Sequence, residues 1–600
     1  QKFCKQFTST VTHKSDPRAR KVKRALRAKH KLDTSYTPFT SADTRKAIDA
    51  AKCSSAVGPD GITAVHLKHI GPRGHAYLTQ LFNLSISNAD LPAIWKAAVV
   101  VPILKPGKPA TEGSSYRPIS LLSPCVKILE RLLLPDVTAA LPKHDSQHGF
   151  AQDHSCTTAL LPIVTQVAIG FNQPKPAKRS ALCMLDISKA FDALDHTLLI
   201  EKISDSPLHP NIVRWLSAYI SGRKAWCVFG PATSKQRTLR SGVPQGSVLS
   251  PALFNHYVSD CPCPISADGI LESYADDFSI LESDSDLIAL EQKLQASVDA
   301  ILAWAATKKL SISAAKSQVT LFTPWNKQFS YHPKVYIDGV IIPLNKTPRL
   351  LGNYLDTMHT GNNQASTNSS KGNQRYNIMK AVSGTDWGHD KETLLLTFKA
   401  LVGSVFDFGA PIYFPNCKPT NIAKMQLVQN SAMRLATGCH RATPISHLHA
   451  ECKMMPVSER LSMLCAQFLA NCLRPTHPSN GIVLLPPGPR RNAKDRPMKE
   501  TLSSRFLATV EPHLRGGIVP TGFYNKIKDE IHTAAVRDFL ASAPPNEVLG
   551  IKPPEVDPSE QSLPRTYRTV LAQLRGDKCS CLKSYLFYIK ATDDDTCPNC

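Results

Sequence analysis

The chain has 600 residues, more than one apolar core organises, so several domains are expected. Its 71 Lys and Arg against 48 Asp and Glu give a formal net charge of +23, a balance suited to polyanions rather than to basic partners. Seventeen irregularly spaced cysteines, with no signal peptide at Gln1, argue against a disulfide framework and for reduced thiols inside a cell, and no membrane-spanning apolar run is expected.

Eight Lys and Arg and no acid lie between Arg18 and Lys31. They read equally as a solvated basic arm or as a helix along nucleic-acid phosphates. Thr44 to Lys52 is helix-like, and Gly58-Pro59-Asp60-Gly61 is a turn signal. Val99 to Lys108 reads as a strand entering a basic turn with Lys105, Tyr116 to Leu122 as a second segment headed by Arg117, and Val126 to Leu134 as a structural helix. Gln147-His148-Gly149-Phe150 precedes a Ser/Thr-rich helix start at Ser155 to Leu160, and Asn172 to Arg179 is a polar connection.

The run Ala181-Leu182-Cys183-Met184-Leu185-Asp186 predicts a buried strand that delivers a carboxylate at its end. About ninety residues later, β-prone flanks around Tyr274-Ala275-Asp276-Asp277 predict a hairpin with two carboxylates at its tip. Adjacent carboxylates repel, and burial would raise the pKa of one, unless a multivalent cation is held there; Mg2+ suits such oxygens. Each stretch alone is more often an ordinary strand and turn, but the two together are far more specific.

Between them, in Ser241-Gly242-Val243-Pro244-Gln245-Gly246-Ser247-Val248-Leu249-Ser250-Pro251, Gly242 and Gly246 permit close backbone approach. Ser250 and Pro251 are expected to serve as N-cap and first residue of a helix. Leu290, Leu294, Val298, Ile301 and Leu302 mark a helix over Leu287 to Leu310. Gly361 to Gln374, rich in Asn, Ser, Thr and Gly, reads as a disordered loop. Leu394 to Phe406 and Ile422 to Leu435 are amphipathic helices, the Cys439, His440, His447, His449 and Cys452 spacing fits no common zinc site, and Pro486 to Arg491 is a basic linker. Near the end, Cys579-Ser580-Cys581 is followed by Cys597-Pro598-Asn599-Cys600, a zinc half-site wanting two more ligands.

Asp186 to Phe191 resembles motif A, Ser241 to Pro251 motif B and Tyr274 to Asp277 motif C of reverse transcriptases. The Gly58 to Gly61 turn, and Ala190-Phe191-Asp192 followed by Asp195-His196, are similar to the LINE-type, non-LTR retrotransposon branch. The resemblance implies an α+β right-hand polymerase of fingers, palm and thumb with a helical C-terminal extension and a truncated zinc motif. The expected divisions are a basic arm (1–43), fingers and palm (44–355), thumb and helical region (356–475), basic Pro-rich linker and helices (476–570) and a Cys-rich terminus (571–600).

It further implies an RNA-directed DNA polymerase that extends a DNA 3′-hydroxyl by two-metal nucleotidyl transfer. Two Mg2+ ions would lie on Asp186, Asp276, Asp277 and the backbone carbonyl of Ile187, with Lys105 and Arg117 gripping the triphosphate, the Arg in bidentate fashion. Phe191 would be a steric gate against a ribose 2′-hydroxyl, with Asp192 the counter-signal toward ribonucleotides. Gln245 would stand against the templating pair, Gly246 would let the backbone approach the bound nucleotide, and Gln147 to Phe150 would line the template path. Lys316 would be the motif D proton donor, a surface Lys being the alternative.

Arg349 to Gly352 resembles the primer grip, with Asn353 in place of an aliphatic residue and Asp356 kept; Gln429-Asn430 and Ala442 to Pro444 resemble the thumb. Zn2+ would bind Cys579, Cys581, Cys597 and Cys600, or Cys597 and Cys600 with a His and a Cys beyond the chain. The implied partners are an RNA template, a DNA primer and target, and dNTPs, without a membrane. The endonuclease would lie elsewhere in a longer polyprotein, and the protein would be nuclear with a cytoplasmic ribonucleoprotein stage. The rival from another class is a decayed or domesticated copy that binds RNA without polymerising. An intron maturase and an RNA-dependent RNA polymerase are the enzymatic rivals.

Overall fold

Among the residues described by the computed structural model, 17–596 without 55, 385–386, 515, 517, 521 and 543–557, seven strands exceed two residues. They are β1 (Ala97–Leu104), β2 (Tyr116–Leu121), β3 (Arg179–Asp186), β4 (Lys224–Phe229), β5 (Ile270–Tyr274), β6 (Asp277–Asp284) and β7 (Gln318–Phe322). β5, β6, β3 and β7 form an antiparallel sheet in that order. A second sheet is built on the antiparallel β1–β2 pair, with β4 parallel to β1. Mixed helix and sheet in these two layers agrees with the palm and fingers of a polymerase.

The central sheet is buried on both faces, which explains why β3 is apolar at nearly every position. Ala181, Cys183 and Leu185 join a core with Phe254, Leu294 and Val298, whereas Leu182 and Met184 face a second core with Leu160, Val164 and Val167. Successive strand side chains alternate faces, so a strand between two cores has no side left for polar residues. The helix Cys156–Phe171 is fixed at its start by a capping box, in which Ser155 and Thr158 exchange backbone-to-side-chain bonds of 3.2 and 2.7 Å. Leu287–Thr307 covers the opposite face and begins at an Asp286 cap.

The N-terminal basic segment is a helix, Pro17–Lys29, docked by one edge: Arg18 meets Glu201 and Lys29 meets Asp205, each at 2.8 Å. Arg20, Lys21 and Arg24 stay exposed.

Three expectations are corrected. Gly361 to Gln374 is not a disordered loop; Asn362–Val382 is a helix of 21 residues. Its small residues allow close packing: a Cβ on Gly372 would lie 2.8 Å from the Phe406 ring, and Ser369 donates to the Lys424 carbonyl at 3.2 Å. Tertiary contact thereby overrides weak helix propensity. Second, Lys391–Asn416 is by length and composition apolar enough to cross a membrane, with mean hydropathy 1.4, so the absence of such a run does not hold. Here Leu394, Phe398, Val402 and Phe406 pack into the second core, and Asp407 pairs with Arg460 at 2.7 Å.

Third, the basic linker is strapped to the palm. Asn172, fully buried, donates to the carbonyls of Pro487 (2.5 Å) and Lys499 (2.8 Å) and accepts from the Lys499 N–H (2.8 Å). Farther on, Arg575 and Lys391 converge on the buried Glu451 at 2.9 and 3.0 Å, fastening the Arg565–Arg575 helix to the thumb region. An Asn172→Ala substitution leaves those strap groups without partners and should cost about 1–3 kcal/mol. Denaturant unfolding should show that loss, and limited proteolysis should cut first within 487–499.

Candidate active site

The site is set by register. In β5–β6, Tyr274 faces Asp277, leaving a two-residue turn of Ala275 and Asp276; in β3–β6, Asp186 faces Asp277 directly. The end of one buried strand and the tip of its neighbouring hairpin therefore bring three carboxylates to one edge of the sheet. Ala275 has φ = 57°, left-handed backbone that costs a non-glycine residue roughly 1–2 kcal/mol. Two-residue hairpins demand such a conformation because it matches the strand twist.

Gln147 grips that turn. Its Oε1 accepts from the N–H groups of Ala275 and Gly149, both at 2.8 Å, while its Nε2 donates to the Ala275 carbonyl at 3.2 Å. Gln147 is fully buried, so its side chain does not line a template path as expected; the exposed residue of that segment is Phe150.

Dehydration in the cleft, followed by the charges of Asp276 and Asp186, pushes the Asp277 carboxyl up to about 6, although its outer surface stays open. Asp276 is also raised, by dehydration and the Asp186 charge, with its own backbone N–H and Arg117 pulling the other way. Arg117 is thus within electrostatic reach of the carboxylates. Lys316 Nζ lies 3.1 Å from Asp186 Oδ2. Beyond Asp186, the backbone bridges to residues 311–313 through the Ser188 N–H and the Asp186 carbonyl, so the Ile187 carbonyl is not consumed by that bridge.

Among the described residues no three His, Cys, Asp or Glu side chains are gathered as a ready metal cage. The donor set still fits Mg2+, which takes few protein carboxylates and completes its shell with water and substrate phosphates. Two crowded carboxylates whose pKa values rise together are the signature of a site wanting a cation.

Motif B is stitched to motif A. Gly242 N–H and Val243 N–H donate to the carbonyls of Leu194 (2.8 Å) and Phe191 (2.9 Å), and His196 Nε2 meets the Gly242 carbonyl at 2.7 Å. A Cβ on Gly242 would lie 2.8 Å from the Asp192 carbonyl oxygen, and one on Gly246 would lie 2.5 Å from that of Ser120. Gln245 Nε2 donates to Asp192 Oδ1 at 3.3 Å. Phe191 stacks on Phe254 (4.7 Å between centroids) and meets Phe150 edge-on at 6.4 Å. Lys105 follows β1 and donates to the Ser114 carbonyl at 3.1 Å, while Arg117 in β2 is exposed.

Ser250 is the first residue of its helix rather than the cap, because Ser247 Oγ accepts the Leu249 and Ser250 N–H groups at 3.1 and 3.2 Å. Behind it stands Glu130, fully buried in the helix Pro124–Ala140 that the sequence suggested was merely structural. Glu130 accepts from the Tyr219 hydroxyl (2.6 Å), the Ser247 hydroxyl (2.7 Å) and the Val248 N–H (2.5 Å). Its signal was a lone acid in an otherwise apolar helix face. The primer-grip segment is a hairpin with Leu351 at φ = 47° and Gly352 at φ = 85°. Asn353 is buried where a Cβ on Gly409 would fall 1.8 Å from its Oδ1, so the amide occupies the space beside that glycine. Cys579 is buried and Cys581 exposed, while Cys597 and Cys600 lie outside the described residues.

Residues 103–352 match the family model of reverse transcriptase (RNA-dependent DNA polymerase). The chain is 28% identical over 446 residues to the probable RNA-directed DNA polymerase from transposon X-element of Drosophila melanogaster, spanning 72% of this chain and 47% of that protein. It is 28% identical over 482 residues to the probable RNA-directed DNA polymerase from transposon BS of the same fly, spanning 78% and 52%. The chain is thus similar to the RNA-directed DNA polymerases of non-LTR retrotransposons. A further relative is the retrovirus-related Pol polyprotein from type-1 retrotransposable element R2 of Popillia japonica, 26% identical over 337 residues, spanning 53% of this chain and 45% of that protein. The chain spans about half the length of the curated relatives it matches. The matched family region begins within β1 and ends at Gly352, so it contains the three carboxylates and the motif B loop.

The raised Asp277 has a definite pH consequence. An acid with an elevated folded pKa holds its proton more tightly folded than unfolded, so its contribution to stability is present below the ordinary carboxylate range and lost as pH rises through about 6. Thermal denaturation of the metal-free protein should show this loss in the wild type and not in Asp277→Asn. Added Mg2+ should raise the wild-type Tm more at about pH 7.5 than at about pH 5, where protons compete for the site.

Proposed function

We propose that this chain is the RNA-directed DNA polymerase of a non-LTR retrotransposon, copying element RNA from a DNA 3′-hydroxyl with dNTPs. The observation that carries this reading is the register that sets Asp186 opposite Asp277 with Asp276 at the adjoining turn. The reaction joins the primer 3′-oxygen to the α-phosphorus of the nucleotide and releases pyrophosphate, a transfer that depends on positioning and charge neutralisation. Asp186, Asp276, Asp277 and the Ile187 carbonyl would hold two Mg2+ ions, which when bound acidify the 3′-hydroxyl and neutralise the departing pyrophosphate.

The remaining roles belong to the chain's own side chains. Arg117 and Lys105 bind the triphosphate, Arg117 from the strand whose charge already reaches Asp276. Lys316, paired with Asp186 at 3.1 Å, would be the proton donor to pyrophosphate once Asp186 serves as a metal ligand. Phe191, locked between Phe254 and Phe150, excludes a 2′-hydroxyl. Asp192 is tied to Gln245 and is withdrawn from ribose recognition, while Gln245 and Gly246 form the floor for the templating pair.

RNA template, DNA target, nuclear location with a cytoplasmic ribonucleoprotein stage, action without a membrane and an endonuclease elsewhere in the polyprotein complete the proposal. Zinc at Cys579, Cys581, Cys597 and Cys600 rests on their spacing alone.

The test is primer extension on an RNA template with Mg2+. dNTPs should be incorporated, and Asp276→Asn should lower the rate by more than about a hundredfold. Phe191→Ala should raise rNTP incorporation relative to dNTP by roughly tenfold or more. Preferential rNTP use by the wild type would overturn the reading.

A further inference from the structure

We propose that Gln147 is a positioning residue for Asp276 and Asp277, holding their turn in its working shape through its side-chain amide. The inference rests on the polymerase reading above and adds a residue outside motifs A, B and C.

The amide forms a reciprocal pair with the Ala275 peptide, accepting from its N–H at 2.8 Å and donating to its carbonyl at 3.2 Å. Its second acceptor position is filled by Gly149 N–H at 2.8 Å, so the side chain cannot rotate without stranding buried groups. The surrounding backbone is built for this approach. A Cβ on Gly149 would lie 2.3 Å from the Ala275 nitrogen, so only glycine lets the segment come this close. His148 N–H donates to the Ser273 carbonyl at 2.9 Å, and Ser273 N–H donates to the Ser146 carbonyl at 3.0 Å, fixing the register of the segment against β5.

The turn needs an external hold for two reasons. Ala275 is in left-handed backbone without being glycine, and the carboxylates that follow it repel each other until a cation binds. A turn free to relax would open and move Asp276 away from Asp186. Gln147 removes that freedom from beside the edge strand β5, where it is fully buried, which makes it a positioning and not a catalytic residue.

The substitution Gln147→Met keeps the volume and removes the pairing. We expect kcat for dNTP addition to fall roughly tenfold to a hundredfold, with KM for dNTP changing less than about threefold, and the Mg2+ concentration for half-maximal rate to rise. Hydrogen exchange of the metal-free protein supplies a readout independent of activity. Peptides covering 270–278 should exchange at least about tenfold faster in the variant, while those covering Leu287–Thr307 keep the wild-type rate.

The decisive comparison uses Ala275→Gly, since glycine takes the turn conformation without external help. It should raise the rate more in the Gln147→Met background than in the wild type. Should Gln147→Met fail to fold, Gln147→Glu retains the acceptor for both N–H groups, and it should show the same hairpin-confined exchange and the same rescue to a smaller degree.

Equal effects of Ala275→Gly in both backgrounds, or faster exchange spread over the whole domain, would overturn the positioning role. Wild-type protein that extends no primer would instead overturn the polymerase reading and the role that rests on it. A wild type that extends no faster than Gln147→Met would overturn the positioning role alone.

Discussion

Electrostatic repulsion among Asp186, Asp276 and Asp277 is the constraint around which this molecule is arranged. Three acids at one sheet edge oppose folding when no cation is present, so the apolar structure behind them must supply the stability. The palm sheet does so by burying both faces: Cys183 and Leu185 in one core, Leu182 and Leu281 in the other. This double burial also protects function. A one-residue slip of β3 against β6 would move Asp186 from beside Asp277 and exchange the two sets of core side chains, so packing defends the catalytic register.

Polar groups behind the carboxylates carry that register to the loops. Glu130 reaches from a fingers helix to the second half of motif B, where its helix begins, and Gln147 reaches from the segment before motif A to the motif C turn. Both are completely buried, and both place their polar atoms on backbone N–H groups that the loops themselves leave unpaired. In a low-dielectric interior such bonds are costly to break singly, which is why a loop can be rigid without regular secondary structure. His148 and Glu272, 2.7 Å apart, add a buried side-chain pair between the same segment and the hairpin, with burial lowering the His148 pKa to about 4.

The parts legible in the sequence are those whose structure is decided locally. The Ala181–Leu185 run, the Tyr274–Asp277 tip and the Ser155 helix start each contain their own instructions, and each forms where the pattern places it. The misread parts depend on partners remote in the chain. Asn362–Val382 has no apolar stripe, yet its small residues suit the close approach of Phe406 and of the Pro419–Thr437 helix. Residues 487–499 look like a linker because their fastening is Asn172, more than three hundred positions earlier. Ser250 looks like a cap because the oxygen that performs the task belongs to Ser247, with Glu130 behind it.

The same remote contacts tie thumb to palm. Leu182 and Leu281 of the central sheet share a core with Phe398, Met425 and Leu469, and the Asn172 strap crosses the polar connection that feeds β3. Strain applied to the thumb helices therefore reaches the strand that ends in Asp186 through packed side chains rather than through a flexible joint. In the polymerase role proposed above, a duplex would have to slide between these parts while the carboxylates stay still. Here mobility has to come from the exposed hairpins and loops at the cleft, because the joint beneath the sheet is solid.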